Sequence, residues 1–395
     1  MSYDSVGIVV AKHYPQLAPA VDACLAVFGT MALAGRTKPL SLIFEAPSGL
    51  GKTAVLQMVF PGQDSALEKY VYRSDKFTPK AFVTHAANIR KQNLAAMDLL
   101  PKLQDKVLVT KELAPIFRGR EQDMQDNFSI LISVLDGKGF TSDSGMHGKR
   151  GYEKSIIFNW IGATTPLPPA THRLMSQLGT RLLFYELALA AVTEDELVAY
   201  AKEGGAECAE RECRAEVKKF LIEFFCTHPV GSVAPEGISI LDKFTRQIVR
   251  WAMFLVAGRA EVKAEKEGSN WQPIAAMASE GPHKVVNYFL ELARGHALIH
   301  GRDYVDRSDV ELVGHVAISS IPGHLRPLVR ALRTAGQIDS PSAAKLCRVS
   351  APTARNYLAQ LSLLGIGDLQ HGSPFSNEPN VLTLKNDYRW MKSQP

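Results

Sequence analysis

Little cysteine, no long apolar run and no low-complexity tract mark this chain, and each shortage removes a class of protein. Its 395 residues include five cysteines, Cys24, Cys208, Cys213, Cys226 and Cys347. An odd, scattered set of that kind argues against a disulfide scaffold and for reduced thiols. Cys208 and Cys213 share a helical stretch, but no second pair or matching histidines follow to complete a metal site. No apolar stretch approaches the roughly 20 residues a membrane span needs. Met1-Ser2-Tyr3-Asp4 lacks the basic-then-apolar order of a secretory signal. A cytoplasmic protein without a membrane partner is expected. Hydrophobic residues at 46 % and charged residues at 22 % are those of a globular chain long enough for two or three cores.

The net charge of +5 is unevenly spread. From Leu325 onward there are nine basic residues against four acidic ones, so the whole excess lies in that segment. A basic terminal domain suits a phosphate backbone, although a solvated surface gives the same count.

The most informative stretch is Ala46-Pro47-Ser48-Gly49-Leu50-Gly51-Lys52-Thr53. A strand-length apolar run, Leu40 to Phe44, precedes it, and an apolar helix start, Ala54 to Val59, follows. Strand, glycine turn and helix together aim backbone N–H groups at one point, the arrangement that cradles polyphosphate. Lys52 is expected to neutralise the β- and γ-phosphates of ATP, and the Thr53 hydroxyl to take a Mg2+ position. The pattern asks for glycine where Ala46 stands, and alanine is tolerable there if the backbone is not left-handed.

Around this loop, apolar runs and helical patterns alternate. Strands are expected at Ala81–Val83, Lys106–Thr110, 155–162 and Leu182–Leu187, with helices over residues 1–39, 86–100 and 124–135. That alternation predicts an α/β fold, a three-layer domain on a parallel sheet. Residues 193–320 read as nearly all helical. Between the helix and the 155–162 strand, the Gly-rich segment 137–151 predicts a hairpin. Hydrolysis needs a carboxylate at a neighbouring strand end, and Glu112 after Lys106–Thr110 is the candidate to activate water. Lys111 occupies the place where an aspartate would hold magnesium. Glu112 stands either as that base or as a surface or strand-capping glutamate in a weak or dead ATPase.

The order of these features resembles the AAA+ ATPases, in the branch that holds MoxR-type ATPases and minichromosome-maintenance helicases, over about residues 30–320. The resemblance implies a P-loop AAA+ domain at 1–190, a helical lid at 191–324 and a separate unit at 325–395. It implies a polar sensor at Thr165, although a plain turn before Pro166 explains that threonine equally well. By the same resemblance Arg181 is the arginine finger that reaches a neighbouring subunit's γ-phosphate, Arg173 is the second choice, and an ordinary ion pair is the alternative. The second sensor falls at Lys284. The hairpin would enter a central pore and grip DNA through Lys149 and Arg150 with His147 beside them, unless it is a solvated loop.

In the last unit, Ser340–Cys347 and Ala351–Gly365 read as two helices joined by the tight turn Arg348-Val349-Ser350, with Leu358, Leu361 and Leu364 on one face. With the strand-like Val381–Leu384 this resembles a winged helix-turn-helix, whose second helix would offer Thr353, Arg355 and Asn356 to DNA. Such modules also dock proteins. The expectation is an ATP-driven, ring-forming motor, a hexamer of this chain acting on DNA as a helicase or translocase. The alternatives are a MoxR-like remodelling ATPase, and a DNA-binding regulator whose ATPase has decayed through Lys111.

Overall fold

A computed structural model of the chain describes residues 3–62, 65–85, 90–145, 148–168, 171–172, 174–175, 179–187, 194, 198, 206–267, 270–372 and 378–391. They fall into two compact units. The first comprises Met1–Pro166, Arg181–Arg246 and Asn287–Val313, and the second Leu167–Thr180, Gln247–Val286 and Gly314–Pro395.

In chain order the first unit contains β1 (Leu40–Glu45), β2 (Val71–Arg73), β3 (Val107–Thr110), β4 (Phe140–Ser144), β5 (Gly148–Tyr152), β6 (Asn159–Thr164) and β7 (Leu183–Glu186). Five of them form one parallel sheet in the order β2-β3-β6-β1-β7. β1 and β6 are buried along their whole length, which a parallel strand covered on both faces requires. The polar head of β6 is satisfied internally. Asn159 donates to Val27 O at 2.7 Å and to Thr30 Oγ1 at 2.8 Å, and accepts from Leu40 N at 3.2 Å. The amide therefore sets the register of β1 against β6 at Leu40 and Asn159.

Two expected strands are displaced. Ala81–Val83 is no strand: Pro79–Ala81 is a 3-10 turn, and the sheet edge is Val71–Arg73. Phe82 is fully buried with its ring 5.3 Å from Phe77 and 6.3 Å from Phe158, so this apolar run fills the core from a turn. The run at 155–162 pairs only from Asn159, while Ile156 and Phe158 are buried ahead of the strand. The expected hairpin is present, with β4 and β5 antiparallel from Phe140 opposite Tyr152 to Ser144 opposite Gly148. The helix before it, Glu121–Leu135, carries Glu121 and Asp123 in its first turn and buries Met124, Phe128, Leu131, Val134 and Leu135. Acids at the positive end and an apolar stripe at helical spacing account for that element. The amino-terminal helices Asp4–His13 and Ala18–Gly29 are also as expected.

β8 (Ser239–Ile240) makes a short parallel pair with β11 (Tyr304–Val305) in the first unit. Between them in sequence, β9 (Val262–Glu267) and β10 (Asn270–Ala276) form an antiparallel hairpin of the second unit. This corrects the all-helical reading of 193–320. Lys263 to Lys266 are exposed, so no apolar alternation announces a strand.

The rest of the second unit holds the helices Arg326–Ala335, Ser340–Cys347 and Ala351–Leu363. The strands β12 (Gln337–Asp339), β13 (Gly367–Gln370) and β14 (Val381–Leu384) form an antiparallel sheet in the order β12-β14-β13. Asp339 caps the first short helix by accepting from Ser342 N at 2.8 Å, and Ser350 Oγ caps the next by accepting from Thr353 N at 3.4 Å. Pro341 and Pro352 sit in the first turns, where no N–H is missed. Leu358, Leu361 and Leu364 are buried together as their spacing predicts.

Candidate functional site

β1 ends at Glu45, and the chain turns through 46–51 before the helix Lys52–Met58 begins. Gly49 and Gly51 have φ of 85° and 81°, a left-handed backbone that side chains disfavour. Gly51 is constrained twice, because a Cβ there would lie 2.6 Å from Leu17 Cδ1. Ala46 lies outside the left-handed region, so the departure from glycine costs the loop nothing in backbone strain. Its N–H donates to Thr164 O at 3.3 Å, tying the start of the loop to the end of β6.

Lys52 Nζ lies across this loop, donating to Ala46 O at 2.5 Å and Pro47 O at 2.7 Å. Burial lowers the Lys52 pKa from its ordinary value, and the negative charges of Glu112 and Glu45 oppose that shift. The ammonium therefore sits in the field of two carboxylates from the carboxyl edge of the sheet. Thr53 follows, exposed on the first helical turn. Left-handed glycines, a part-buried lysine and an exposed hydroxyl fit a polyphosphate with a divalent ion.

Leu113 N donates to Ala163 O at 2.8 Å, which brings the β3 end to the β6 end. Beside it, exposed Glu112 accepts through Oε1 from Ala114 N at 2.8 Å, just beyond the end of β3. Lys111 points elsewhere: its Nζ is 3.7 Å from Asp75 Oδ2 and 5.2 Å from the centre of the Phe60 ring. Asp75 is held on its other side by Arg73 at 2.8 Å. Thr165, at the end of β6, accepts from Arg118 Nη2 at 2.7 Å. Arg118 is an exposed cation beside the strand ends that the sequence did not single out, and nothing in its local pattern marks it.

The remaining candidates scatter. Arg181 donates to both oxygens of Asp136 at 3.2 and 3.3 Å, an ion pair within its own chain. Arg173 and His147 lie outside the described residues. Lys284, half-buried at the start of the helix His283–Ile299, belongs to the second unit. Arg150 is a correction. It does not offer its guanidinium to solvent but donates to Asp98 Oδ2 at 2.9 Å and to the Thr84 carbonyl, while Asp98 also accepts from Tyr152 Oη at 3.0 Å. The buried Asp98 carboxylate needs a cation more than the hairpin surface does. Lys149 is exposed and pairs with Glu153 at 2.7 Å.

In the second unit, Arg355 is exposed and Asn356 half-buried on the helix Ala351–Leu363. Both line a cleft whose opposite wall includes Gln272 and Pro273 of β10. Thr353, half-buried, has its Oγ1 2.9 Å from Ser350 Oγ at the helix cap. The hairpin that the helical pattern hid thus stands beside the very helix expected to meet DNA.

No protein-family model and no curated protein matches this chain. Among solved structures it is similar to one described as a "putative ATPase" from Cytophaga hutchinsonii ATCC 33406, with 10 % identity over 79 % of this chain and 86 % of that one. The TM-score is 0.38, too low for the likeness to carry any part of the assignment.

Proposed function

We propose that this chain is a Mg2+-dependent ATPase of AAA+ type, with its nucleotide at the carboxyl edge of the parallel sheet. One observation carries the reading: left-handed Gly49 and Gly51 and the part-buried Lys52 ammonium converge at a single strand end. ATP supplies the phosphoanhydride, and Mg2+ neutralises the charge that gathers on it. Lys52 would exchange the carbonyls of Ala46 and Pro47 for phosphate oxygens, trading neutral acceptors for charged ones. Thr53 would hold the ion, and Glu112 would take a proton from the attacking water. With Lys111 drawn to Asp75, no carboxylate from position 111 joins the ion, and turnover is expected to be slow.

The deciding experiment is ATP binding and hydrolysis by the parent and by Lys52→Ala, with circular dichroism as the fold control. Affinity should fall by about two orders of magnitude or more, as for loss of a buried charged contact. Unchanged affinity in a folded Lys52→Ala protein sinks the proposal.

A ring of copies acting on DNA is the second reading, favoured by the exposed Arg355 and the basic excess after Leu325. The two capped helices and the β12-β14-β13 sheet are read here as a winged helix. Burial of Arg150 and the hairpin beside Ala351–Leu363 favour instead a MoxR-like remodelling ATPase, whose terminal unit docks protein. DNA-stimulated turnover that is lost in Arg355→Ala decides for the motor. Turnover indifferent to DNA decides for remodelling.

A further inference from the structure

Away from the nucleotide loop, one helix turn in the first unit presents two imidazoles to a single carboxylate. His296 and His300 are four residues apart, so they share a face. His296 Nε2 is 2.8 Å from Asp22 Oδ2, and His300 Nε2 is 3.0 Å from Asp22 Oδ1. The other nitrogen of His296, Nδ1, is 2.5 Å from Asp309 Oδ1. Asp309 is fully buried and anchored: Arg302 donates to its two oxygens at 2.7 and 2.8 Å, and Asp306 N donates at 2.6 Å.

This arrangement poses a problem of lone pairs. With Nδ1–H donated to Asp309, a neutral His296 turns the lone pair of Nε2 onto a carboxylate oxygen. Either a proton, which makes the ring itself a cation, or a metal cation fills that place, and His300 Nε2 faces the other oxygen of Asp22. We propose that this cation is a divalent transition metal, Zn2+ in the first place, ligated by Asp22, His296 and His300. Two imidazoles and one carboxylate form a donor set that zinc accepts. Asp309 then supplies the carboxylate that fixes the tautomer of a metal-bound histidine from behind.

The geometry is close to what the ion needs. All three ligand atoms lie within 4.8 Å of one another. Tetrahedral zinc with bonds of about 2.0–2.1 Å puts its ligand atoms about 3.3 Å apart, so the short pair made by the ligating Asp22 oxygen opens by about 0.5 Å or less and any wider separation closes to the same value. The helices bearing the ligands are held at fixed distance by a backbone contact that only glycine allows. A Cβ on Gly29 would lie 2.1 Å from Gly295 O, and one on Gly295 would lie 2.6 Å from Ala26 O. The Tyr3 ring, 4.2 Å from that of His300, walls one side. Asp22 and His300 keep about a quarter of their side-chain surface exposed, at 24 % and 25 %, which gives the ion a route from solvent. Such a site would clip the helix Ala18–Gly29 to the helix His283–Ile299, independently of whether the loop at Lys52 binds ATP.

The test uses the full chain without a histidine tag, stripped with chelator and titrated with Co2+ and then Zn2+. The expected result is one equivalent of Co2+ with visible d–d absorption, displaced by Zn2+, together with a Zn2+-dependent rise in the thermal midpoint. His300→Ala and Asp22→Asn should lose all three signals while keeping the circular dichroism of the parent. Asp309→Asn should bind about 10- to 100-fold more weakly. His283→Ala, on an exposed position of the same helix, should bind as the parent does. If His296→Ala fails to fold, the two partly exposed ligands still decide. Absence of stoichiometric Co2+ binding, or the same binding in His300→Ala, overturns the proposal and leaves the cluster held by imidazole–carboxylate hydrogen bonds alone.

Discussion

Arg150 Nη2 donates to Asp98 Oδ2 at 2.9 Å, with the arginine side chain 8 % exposed and the aspartate 1 %. Its neighbour Lys149 is 60 % exposed and pairs with the exposed Glu153. Two adjacent cations on one strand thus have opposite fates. Arg150→Ala leaves a buried carboxylate without its cation and should cost about 3–5 kcal/mol in chemical denaturation. Lys149→Ala should leave the midpoint where it is. Equal, small effects from the two variants would mean that Arg150 is not held inside.

Gly51 carries two constraints that separate by mutation. Gly51→Ala must adopt φ near 81° and place a methyl 2.6 Å from Leu17 Cδ1. The backbone part alone should cost about 1–2 kcal/mol, and ATP affinity should fall with the loop's shape. Adding Leu17→Ala relieves the contact but not the backbone, so rescue of the thermal midpoint should be partial. Full rescue would show that crowding alone requires glycine here.

Arg181 and Asp136 offer a test of assembly. An arginine that reaches a neighbouring subunit's phosphate has to leave Asp136, so Asp136→Asn should maintain or raise turnover. Arg181→Ala should keep ATP affinity and lose turnover by about 10³-fold, the measure of a missing finger. Mixing Arg181→Ala with Glu112→Gln should restore some activity at mixed interfaces. A protein that stays monomeric with ATP at every concentration removes the finger, and the pair is then structural.

His172, 9 % exposed, sets an acid limit on the second unit. Burial first, then the charges of Arg326, Arg259 and His324, pull its pKa down to about 3. In the unfolded chain the imidazole titrates near its ordinary value of about 6.5, so below that pH the unfolded state takes a proton that the folded state refuses. Stability therefore falls as pH drops, by about 1.4 kcal/mol per unit between pH 6.5 and 3. Urea midpoints measured across that range should slope less in His172→Asn than in the parent. Identical slopes would assign the acid limb to other groups.

The glycine turn after β1 and the apolar runs of β1 and β6 were legible in the sequence because each is local. A glycine permits a left-handed turn, and a continuous apolar run suits a strand buried on both faces. The two helices Ser340–Cys347 and Ala351–Leu363 were legible from their apolar spacing. The β9–β10 hairpin was not, since its exposed Lys, Ala and Glu residues favour a helix when read alone.

What only the tertiary structure decided is how the charged side chains are spent. Arg150 meets Asp98 across 52 residues, Arg118 meets Thr165 across 47, and His296 meets Asp22 across 274. Lys111 turns to Asp75, and Arg181 to Asp136. An arginine or histidine has the same local signature whether it is buried in a pair, poised for a ligand or free on a surface. For Arg150 the partner is the distant carboxylate that the fold buries nearby, because an unpaired buried charge costs more than any local preference can offset.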